Sequence, residues 1–266
     1  MVRSLWSAAT GMNGQQSNID TISNNLSNVN TSGFKQQRVE FEDLLYQTVK
    51  LAGTPATEDT VTPVGVQMGS GVKVGATQRI FSQGSLQSTG VDTDVAVVGE
   101  GFFRVLQYDG SFAYTRDGSF KVDMTGQLVT NNGLRVLPEI IVPEPETTDI
   151  HTLAVTQDGR VTVKLAGADE PTEIGQIELY RFANQAGLDP AGNNLFKVSN
   201  ASGPAQPGRP GFEGMGSLEH KFLEMSNVSV VNEMVAMIVA QRAYEFNSKA
   251  IQTSDNMLST AANLKR

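Results

Sequence analysis

The chain has 266 residues, of which 39% are hydrophobic and 18% are charged, so it can bury a sizeable core but has little charge for its surface. Its net charge of −8 argues against binding to nucleic acid or to an anionic membrane, because both depend on clustered Lys and Arg. The absence of cysteine excludes disulfides, thiolate metal sites and cysteine nucleophiles.

No stretch approaches the ~20 apolar residues that a membrane helix requires, so we expect no membrane insertion. The start, "MVRSLWSAATGMNGQQSN", is interrupted by Ser, Thr and Gly before a hydrophobic signal region can form. If the protein leaves the cytoplasm, we expect it to do so without a cleaved signal peptide.

Residues 4–30 are predicted to form a helix, because apolar residues recur at alternating steps of three and four. This period of 3.5 is the spacing of a coiled-coil seam. Gly33 follows at a position where a helix stop is expected. The seam consists of Leu5, Ala8, Met12, Gln15, Ile19, Ile22, Leu26 and Val29.

The composition of this helix is unfavourable for an isolated one. Residues 17–31 include eleven Ser, Thr, Asn and Asp residues, which together disfavour the helical state by roughly 5–7 kcal/mol. Only Arg3 and Asp20 are charged among the first 34 residues. Such a neutral helix, stable only when its seam is covered, suits a dense bundle of several copies or the wall of a wet channel. Pairing of the two chain ends within one monomer is an equally open interpretation.

The middle of the chain is predicted to form short antiparallel strands over residues ~65 to ~200. Alternating runs are separated by Asp117-Gly118, Met124-Thr125-Gly126, Asn132-Gly133 and Asp158-Gly159, and Asp-Gly and Asn-Gly supply the positive φ angles of tight hairpins. Residues 46–63 resemble an extended arm, and the Pro- and Gly-rich residues 203–216 a return loop. We expect the β core to contain Phe102, Phe103, Tyr114 and Phe120.

A second helix is predicted at the carboxyl end, with a less regular seam that widens near its start through Val231, Val235 and Ile238. The two helices would be roughly 40 and 50 Å long. The seam consists of Val230, Met234, Met237, Gln241, Tyr244, Ser248, Ile251, Asp255, Leu258 and Ala262.

The predicted fold class is therefore α+β, with long terminal helices packed as a coiled-coil-like inner domain and an inserted antiparallel all-β domain. The predicted segments are an inner-tube helix at 1–34, an arm and linker at 35–64, the β domain at 65–202, a return linker at 203–227 and a second inner-tube helix at 228–266.

Catalysis and cofactor binding find little support in the sequence. His151 and His220 have no metal-ligand spacing, and no G-x-S-x-G nucleophile elbow occurs. Asp92 and Asp94 lack the rest of a calcium loop, and "GSGVKVG" has the wrong spacing for a dinucleotide loop. We expect no cofactor and no metal. A pair of carboxylates acting on a cell-wall glycan is the enzymatic alternative.

Three stretches resemble the flagellar rod and hook family of axial proteins. "NNLSNVNTSGFK" (24–35) is similar to its N-terminal signature, and residues 231–265 are similar to its C-terminal signature. "VVGEGFFRV" (97–105) and "YTRDGSFKVDMTGQLVT" (114–130) resemble its shared β core. The segment from Tyr46 to Pro63 resembles an arm of the distal rod subunits, which is associated with a straight, stiff tube.

The resemblance implies a structural subunit that polymerises helically into the distal rod, a hollow drive shaft carrying torque from motor to hook. It implies terminal helices forming an inner tube around an export channel, with the β domain outside. The implied partners are further copies of the chain, proximal rod and hook subunits, P and L ring proteins, and the type III export apparatus with its chaperones or cap. The implied location is the basal body, across the periplasm. A proximal rod protein or a short hook protein is the alternative within the family.

The resemblance also assigns residues to assembly. The interface residues would be Leu5, Met12, Ile19, Ile22, Asn24, Asn25, Leu26, Asn28, Val29, Asn30, Gly33, Phe34, Val230, Met234, Met237, Tyr244, Ile251 and Leu258. The residues of the rod-type arm would be Tyr46, Lys50, Pro55 and Pro63.

Overall fold

The computed structural model describes residues 2–53, 55–57, 60–61, 63–142, 153–164 and 171–263. It has helices at the two ends of the chain and strands between them, which confirms the α+β class. The chain divides into two compact units. The first, here called the helical unit, consists of residues 1–27, 37–79 and 229–266; the second, here called the β unit, consists of residues 28–36 and 80–228.

The helical unit is built on α1 (Val2–Ser27) and α2 (Val230–Asn263), which pack against each other. Helix α1 also contacts the antiparallel pair β1 (Gln37–Asp43) and β6 (Val72–Arg79). Two smaller antiparallel pairs complete the unit: β2 (Gln47–Lys50) with β5 (Val66–Met68), and β3 (Pro55–Thr57) with β4 (Thr60–Val61). Neither α1 nor α2, over its described length, is long and apolar enough to cross a bilayer.

Three hydroxyl side chains of α1 find their hydrogen-bond acceptors within the helix itself. The hydroxyls of Ser17, Thr21 and Ser27 each donate to the carbonyl four residues earlier, at 2.8–3.1 Å. These bonds remove part of the competition between short polar side chains and the helix backbone. The helix nevertheless ends at Ser27, three residues before the predicted end, and Gly33 is therefore not its stop.

The β unit contains an antiparallel sheet of seven strands within the described residues, in the order β11-β12-β13-β9-β10-β19-β18. Its strands are β9 (Phe103–Leu106), β10 (Phe112–Thr115), β11 (Lys121–Val122), β12 (Leu128–Val129), β13 (Arg135–Leu137), β18 (Asp189–Gly192) and β19 (Leu195–Lys197).

Smaller sheets in the described part of the β unit complete it. One has the order β14 (Ala154–Val155), β15 (Arg160–Val163), β16 (Thr172–Gln176). The antiparallel pairs are β7 (Leu86–Ser88) with β22 (Phe222–Glu224), β8 (Val95–Val98) with β21 (Ser217–His220), and β17 (Leu179–Arg181) with β20 (Gln206–Gly208).

Aromatic side chains fill the β unit as the sequence predicts. Phe102 and Phe103 are fully buried, and Tyr114 and Phe120 are at most 4% exposed. Phe102 packs edge-to-face on Phe182, with ring centroids 5.6 Å apart, and aromatic pairs of this geometry stabilise a core beyond their buried area. Phe102, Tyr114 and Phe182 belong to a mainly aromatic cluster, whereas Phe103 and Phe120 belong to a larger cluster that is mostly aliphatic.

The predicted hairpin turns differ in how they use glycine. Gly126, Gly133 and Gly159 have φ of 75–84°, the positive values expected of them. Gly118 does not have a positive φ, so the hairpin interpretation of Asp117-Gly118 is wrong. A Cβ at Gly118 would instead overlap the carbonyl oxygen of Val95, so the glycine permits a close backbone approach.

The two units divide the chain differently from the five segments drawn from the sequence. Residues 37–79, which include the predicted arm, group with the helices, and residues 28–36 group with the β residues. The boundary between the two units therefore falls inside "NNLSNVNTSGFK", directly after Ser27, where α1 also ends. The sequence-based segmentation remains a prediction about the assembled protein.

Candidate functional site

The predicted seam of α1 is covered within a single subunit. Ile22 is buried, and Leu5, Met12, Ile19 and Leu26 are half-buried. Helix α1 is packed by α2, β1 and β6 of the same unit. This covering supplies the partner surface that a helix of weak formers requires.

The contact between α1 and α2 is made by small and polar side chains. The hydroxyls of Ser4 and Ser254 lie 3.3 Å apart. Gly11 allows the helices to approach, since a Cβ there would lie 2.9 Å from the amide nitrogen of Asn247. In the described part of α2, the buried residues are Glu233, Ala240 and Ser254. The face that α2 turns to α1 is therefore poor in large apolar residues.

Most of the large apolar residues of α2 are left uncovered in the subunit. Of the predicted assembly residues, Val230, Met234, Tyr244 and Leu258 are exposed, whereas Met237 and Ile251 are half-buried. A contiguous stripe at helical spacing is 52–71% exposed. We call it the α2 apolar face; it comprises Val231, Met234, Val235, Ile238 and Val239.

The predicted arm is a narrow ribbon with exposed apolar residues. Tyr46, Lys50 and Pro63 are exposed, and Pro55 begins β3, with its side chain outside the described residues. A hydrogen bond with Asp43 raises the pKa of Tyr46. Among the ribbon residues whose side chains are described, the exposed apolar ones are Leu45, Val49, Leu51, Val64, Val66 and Met68.

The base of this ribbon forms a surface pocket with the start of α1. Its volume is about 240 Å³, and the guanidinium of Arg3 lies 3.4 Å from the sulfur of Met68 across it. Trp6, at its edge, is 65% exposed. The lining residues are Arg3, Trp6, Ser7, Gln47, Met68, Gly69 and Ser70.

The N-terminal signature is divided between the two units, and its residues differ in exposure. Asn24 is exposed and Asn25 is buried in the helical unit. In the β unit, Asn28 and Val29 are half-buried and Asn30 is exposed, whereas Gly33 and Phe34 are buried. The assembly role given to these residues from the sequence stays a prediction.

A buried ionic network ends this signature, and the sequence reasoning did not predict it. The ammonium of Lys35 lies 2.6 Å from a carboxylate oxygen of Glu224, and both side chains are fully buried. Arg116 lies 3.5 Å from the other oxygen. Burial lowers the pKa of Lys35, while Glu224 opposes this effect, and burial also lowers the pKa of Arg116. The available signal was that Lys35 is the single charge in "NNLSNVNTSGFK".

The net charge is distributed unequally between the units. The helical unit contains nine basic and nine acidic residues and is neutral. The β unit contains eleven basic and nineteen acidic residues and so has the whole net charge of −8. Copies of the helical unit can therefore approach one another without a net electrostatic penalty.

The described residues offer no cluster of metal ligands. No group of three or more His, Asp or Glu residues in that part of the chain could hold a metal ion. The ring of His220 lies 2.8 Å from the carbonyl oxygen of Asp92, and the Asp92 carboxylate pairs with Lys221 at 2.5 Å. His151 lies outside the described residues.

Paired terminal helices, an uncovered apolar face and an exposed ribbon define a class of protein that functions by association with other chains. Comparison with known proteins agrees. Residues 5–35 match the family described as flagella basal body rod protein, and residues 96–163 match the flagellar hook protein FlgE/F/G D1 domain. Residues 219–264 match the C-terminal region of flagellar basal body rod FlgEFG proteins.

Individual relatives extend over the whole chain. The flagellar basal-body rod protein FlgG of Borreliella burgdorferi is 59% identical over the full length of both chains. That of Caulobacter vibrioides is 45% identical, over 99% of this chain and all of its own. The flagellar hook-basal body complex protein FlhP of Bacillus subtilis is 32% identical, over 97% of each chain. The chain belongs to the flagellar rod and hook family of structural, non-enzymatic proteins.

Proposed function

We propose that the chain is the subunit of the flagellar distal rod and that it polymerises helically into a stiff, hollow drive shaft. In this role it transmits torque from the motor to the hook and encloses the export channel. Head-to-tail contacts that do not close on themselves generate such an open filament. The terminal helices would pack in a coiled-coil-like manner in the inner tube, formed by residues 1–34 and 228–266.

The proposed partners follow from this position in the flagellum. Proximal rod subunits lie below the polymer and hook subunits above it, and P and L ring proteins surround it. The type III export apparatus, with chaperones or a cap, delivers the subunit without cleavage of a signal peptide. The rod then spans the periplasm, with no contact to nucleic acid and no insertion into a membrane.

The observation that carries this proposal is the α2 apolar face. Its five residues, which include Val235 and Ile238, are 52–71% exposed although α2 is already paired with α1. Covering such side chains contributes about 1.5–3 kcal/mol each. Because the helical unit has no net charge, a second copy can cover the face without repulsion.

The arm supports the distal rod within the family. The arm and linker region, residues 35–64, includes the ribbon with its exposed apolar residues. Leu45, for example, is 90% exposed. An exposed apolar ribbon of this kind is a contact surface for other chains. We propose that it lies between neighbouring subunits through Tyr46, Lys50, Pro55 and Pro63 and keeps the tube straight.

The experiment that tests the polymer uses an exposed residue, because substitution of a buried one also damages the subunit. Ile238→Asp places a charge on the α2 apolar face, and Gln252→Asp places one on an exposed polar position of the same helix. We expect both variants to fold, but only Gln252→Asp to form tubes in concentrated solution and to restore motile cells. Normal rods from Ile238→Asp would refute the proposal.

Ile22→Asp and Leu26→Asp form a second pair of variants. We expect both to block rod assembly while the β unit remains folded. Ile22 is buried inside the helical unit, so its substitution also unfolds that unit, whereas half-buried Leu26 is less disruptive. Basal bodies isolated from cells expressing each variant provide the measurement.

The alternative within the family is a proximal rod protein or a short hook protein. The similarity to a hook-basal body complex protein is consistent with this alternative. The shape of the polymer separates these functions. Electron micrographs of a straight tube support the distal rod, a curved tube indicates a hook protein, and a stub of one turn indicates a proximal rod protein.

A further inference from the structure

A short turn segment of the β unit is held by side chains and backbone carbonyls that lie far away in the sequence. The hydroxyl of Ser32 donates to Asp117 at 2.9 Å, and the N–H of Gly33 donates to the carbonyl oxygen of Glu224 at 2.8 Å. The ammonium of Lys35 donates to the Glu224 carboxylate at 2.6 Å and to the carbonyl of Ser82 at 2.8 Å. These contacts form a polar seat for residues 32–35.

The seat also selects the shape of the segment. Gly33 has a φ of 67°, and a Cβ there would lie 2.6 Å from the backbone nitrogen of Asp117. Both features restrict the position to glycine. One residue beyond Lys35, the N–H of Gln36 donates to the side chain of Asn227 at 2.8 Å. The carbonyl oxygen of Gln36 accepts a hydrogen bond from the N–H of Ile80 at 2.9 Å.

Glu224 is the central residue of this seat. Its carboxylate also accepts the N–H of Gly84 at 2.9 Å, and it is fully buried. Removal of Lys35 would leave Arg116, at 3.5 Å, as the nearby cation for a carboxylate that water cannot reach. Breaking one side of a buried pair is far more costly than replacing both sides, because an uncompensated buried charge remains.

We infer that the β unit contains a peptide-recognition site whose ligand is the chain's own segment Ser32–Lys35. The ligand class is a short peptide that turns at a glycine, with a hydroxyl residue before that glycine and a lysine two residues after it. Since the segment and the seat are separated in sequence by up to 189 positions, this recognition fixes residues 32–35 in one register on the rest of the β unit. The inference is independent of the proposed polymer.

The first test measures coupling between the two buried charges. We expect Lys35→Met and Glu224→Gln each to shift the unfolding equilibrium of the β unit by at least about a hundredfold. The double variant should lose less than the two single losses added together, because the two charges are coupled while Arg116 remains buried in it. Lys121→Met, at an exposed lysine of β11, is the matched control and should change the equilibrium less than about threefold. A Lys35→Met variant as stable as the control would overturn the inference.

The second test asks whether the seat recognises a peptide added in trans. A full-length Gly33→Ala/Lys35→Met variant is mixed with the synthetic peptide NVNTSGFKQQR, which is residues 28–38. We expect the peptide to raise the melting temperature of the variant and to slow hydrogen exchange at the Gly84 amide. The same peptide with methionine in place of its lysine should do neither. Equal effects of both peptides, or no effect of either, would contradict recognition.

A milder variant, Ser32→Ala, tests the inference if the Gly33→Ala/Lys35→Met variant fails to fold. Ser32→Ala removes one hydroxyl from the half-exposed edge of the seat. We expect faster hydrogen exchange at the amides of Gly33 and Gly84, by about tenfold, with unchanged exchange at the core amide of Val105. Uniform change at all three amides would indicate a general loss of stability and would count against a local seat.

Discussion

The side-chain amide of Asn25 makes two hydrogen bonds with the backbone of Gln37. It accepts the Gln37 N–H at 2.9 Å and donates to the Gln37 carbonyl at 2.8 Å. The Asn25 side chain thus hydrogen-bonds both the N–H and the carbonyl of Gln37, the first residue of β1, as the backbone of a neighbouring strand would. A third contact, from the same amide nitrogen to Glu233 at 3.3 Å, joins it to α2. Asn25 is therefore a structural junction of the helical unit.

We expect Asn25→Ala to destabilise the helical unit by about 2–3 kcal/mol, because two backbone groups of half-buried Gln37 lose their partner and the buried Asn25 side chain is removed. Asn13→Ala, at an exposed position of α1, is the control, and it shares the gain in helix propensity of about 0.5 kcal/mol. Urea unfolding followed by fluorescence of Trp6, the single tryptophan of the chain, measures both. Equal stabilities of the two variants would contradict the junction.

Gly118→Ala tests the corrected role of this glycine in the β unit. Since a Cβ would overlap the Val95 carbonyl oxygen, we expect a loss of about 3 kcal/mol or more. Gly110→Ala has open space around the added atom but a φ of 79°, so its cost should be only about 1 kcal/mol. Near-ultraviolet circular dichroism during denaturation separates the two. The opposite order of stabilities would contradict the close-approach role of Gly118.

The raised pKa of Tyr180 predicts how the stability of the β unit changes at alkaline pH. Burial, and then a hydrogen bond that its hydroxyl donates to Glu178 at 2.9 Å, raise the pKa of Tyr180 above its ordinary value of 10.0. Above pH 10 the unfolded chain therefore releases a proton that the folded unit retains, so stability falls as pH rises.

Tyr180→Phe should make this alkaline decline shallower by up to about one proton, while costing about 1 kcal/mol at neutral pH through the lost hydrogen bond. Tyr108→Phe, at a tyrosine that is 84% exposed, is the comparison variant. Thermal unfolding between pH 8 and 11.5 provides the measurement. An unchanged slope in Tyr180→Phe would show that another group governs the alkaline limit.

Leu45→Asp tests the arm without disturbing the subunit. Leu45 is 90% exposed, so we expect its substitution to change the free energy of unfolding by less than about 0.5 kcal/mol. If the ribbon contacts neighbouring subunits, tubes should form poorly or lose their straightness. Gln67→Asp, at an exposed polar residue of β5, should leave them unchanged. Electron microscopy of assembled protein distinguishes the outcomes, and straight tubes from Leu45→Asp would remove the arm from the interface.

Much of the fold could be predicted, because the signals were local. Spacing of apolar residues predicted both helices to within a few residues at each end, and aromatic residues such as Phe102 and Phe103 were correctly placed in the β core. Gly118 was misinterpreted because Asp-Gly is a turn signal only when the backbone adopts a positive φ, and the approach of Val95 decides otherwise.

The candidate site was less predictable, because the spacing of apolar residues along a helix does not indicate which surface covers them. Ile22 on α1 is covered within the subunit, whereas Ile238 on α2 is 57% exposed, although both lie on apolar helical stripes. The difference arises because the small and polar side of α2, with Ala240, packs on α1. Periodicity identifies an apolar face, but the partner of that face is a property of the packed unit.

The sequence by itself determined that helices end the chain, that strands lie between them, and that the chain belongs with axial proteins, because these properties reside in neighbouring residues. Only the tertiary structure decided that the amino-terminal signature is divided between two units. Only it revealed that Lys35 is buried against Glu224. Pairing between distant residues depends on the chain brought into contact with itself, and no local pattern specifies that contact.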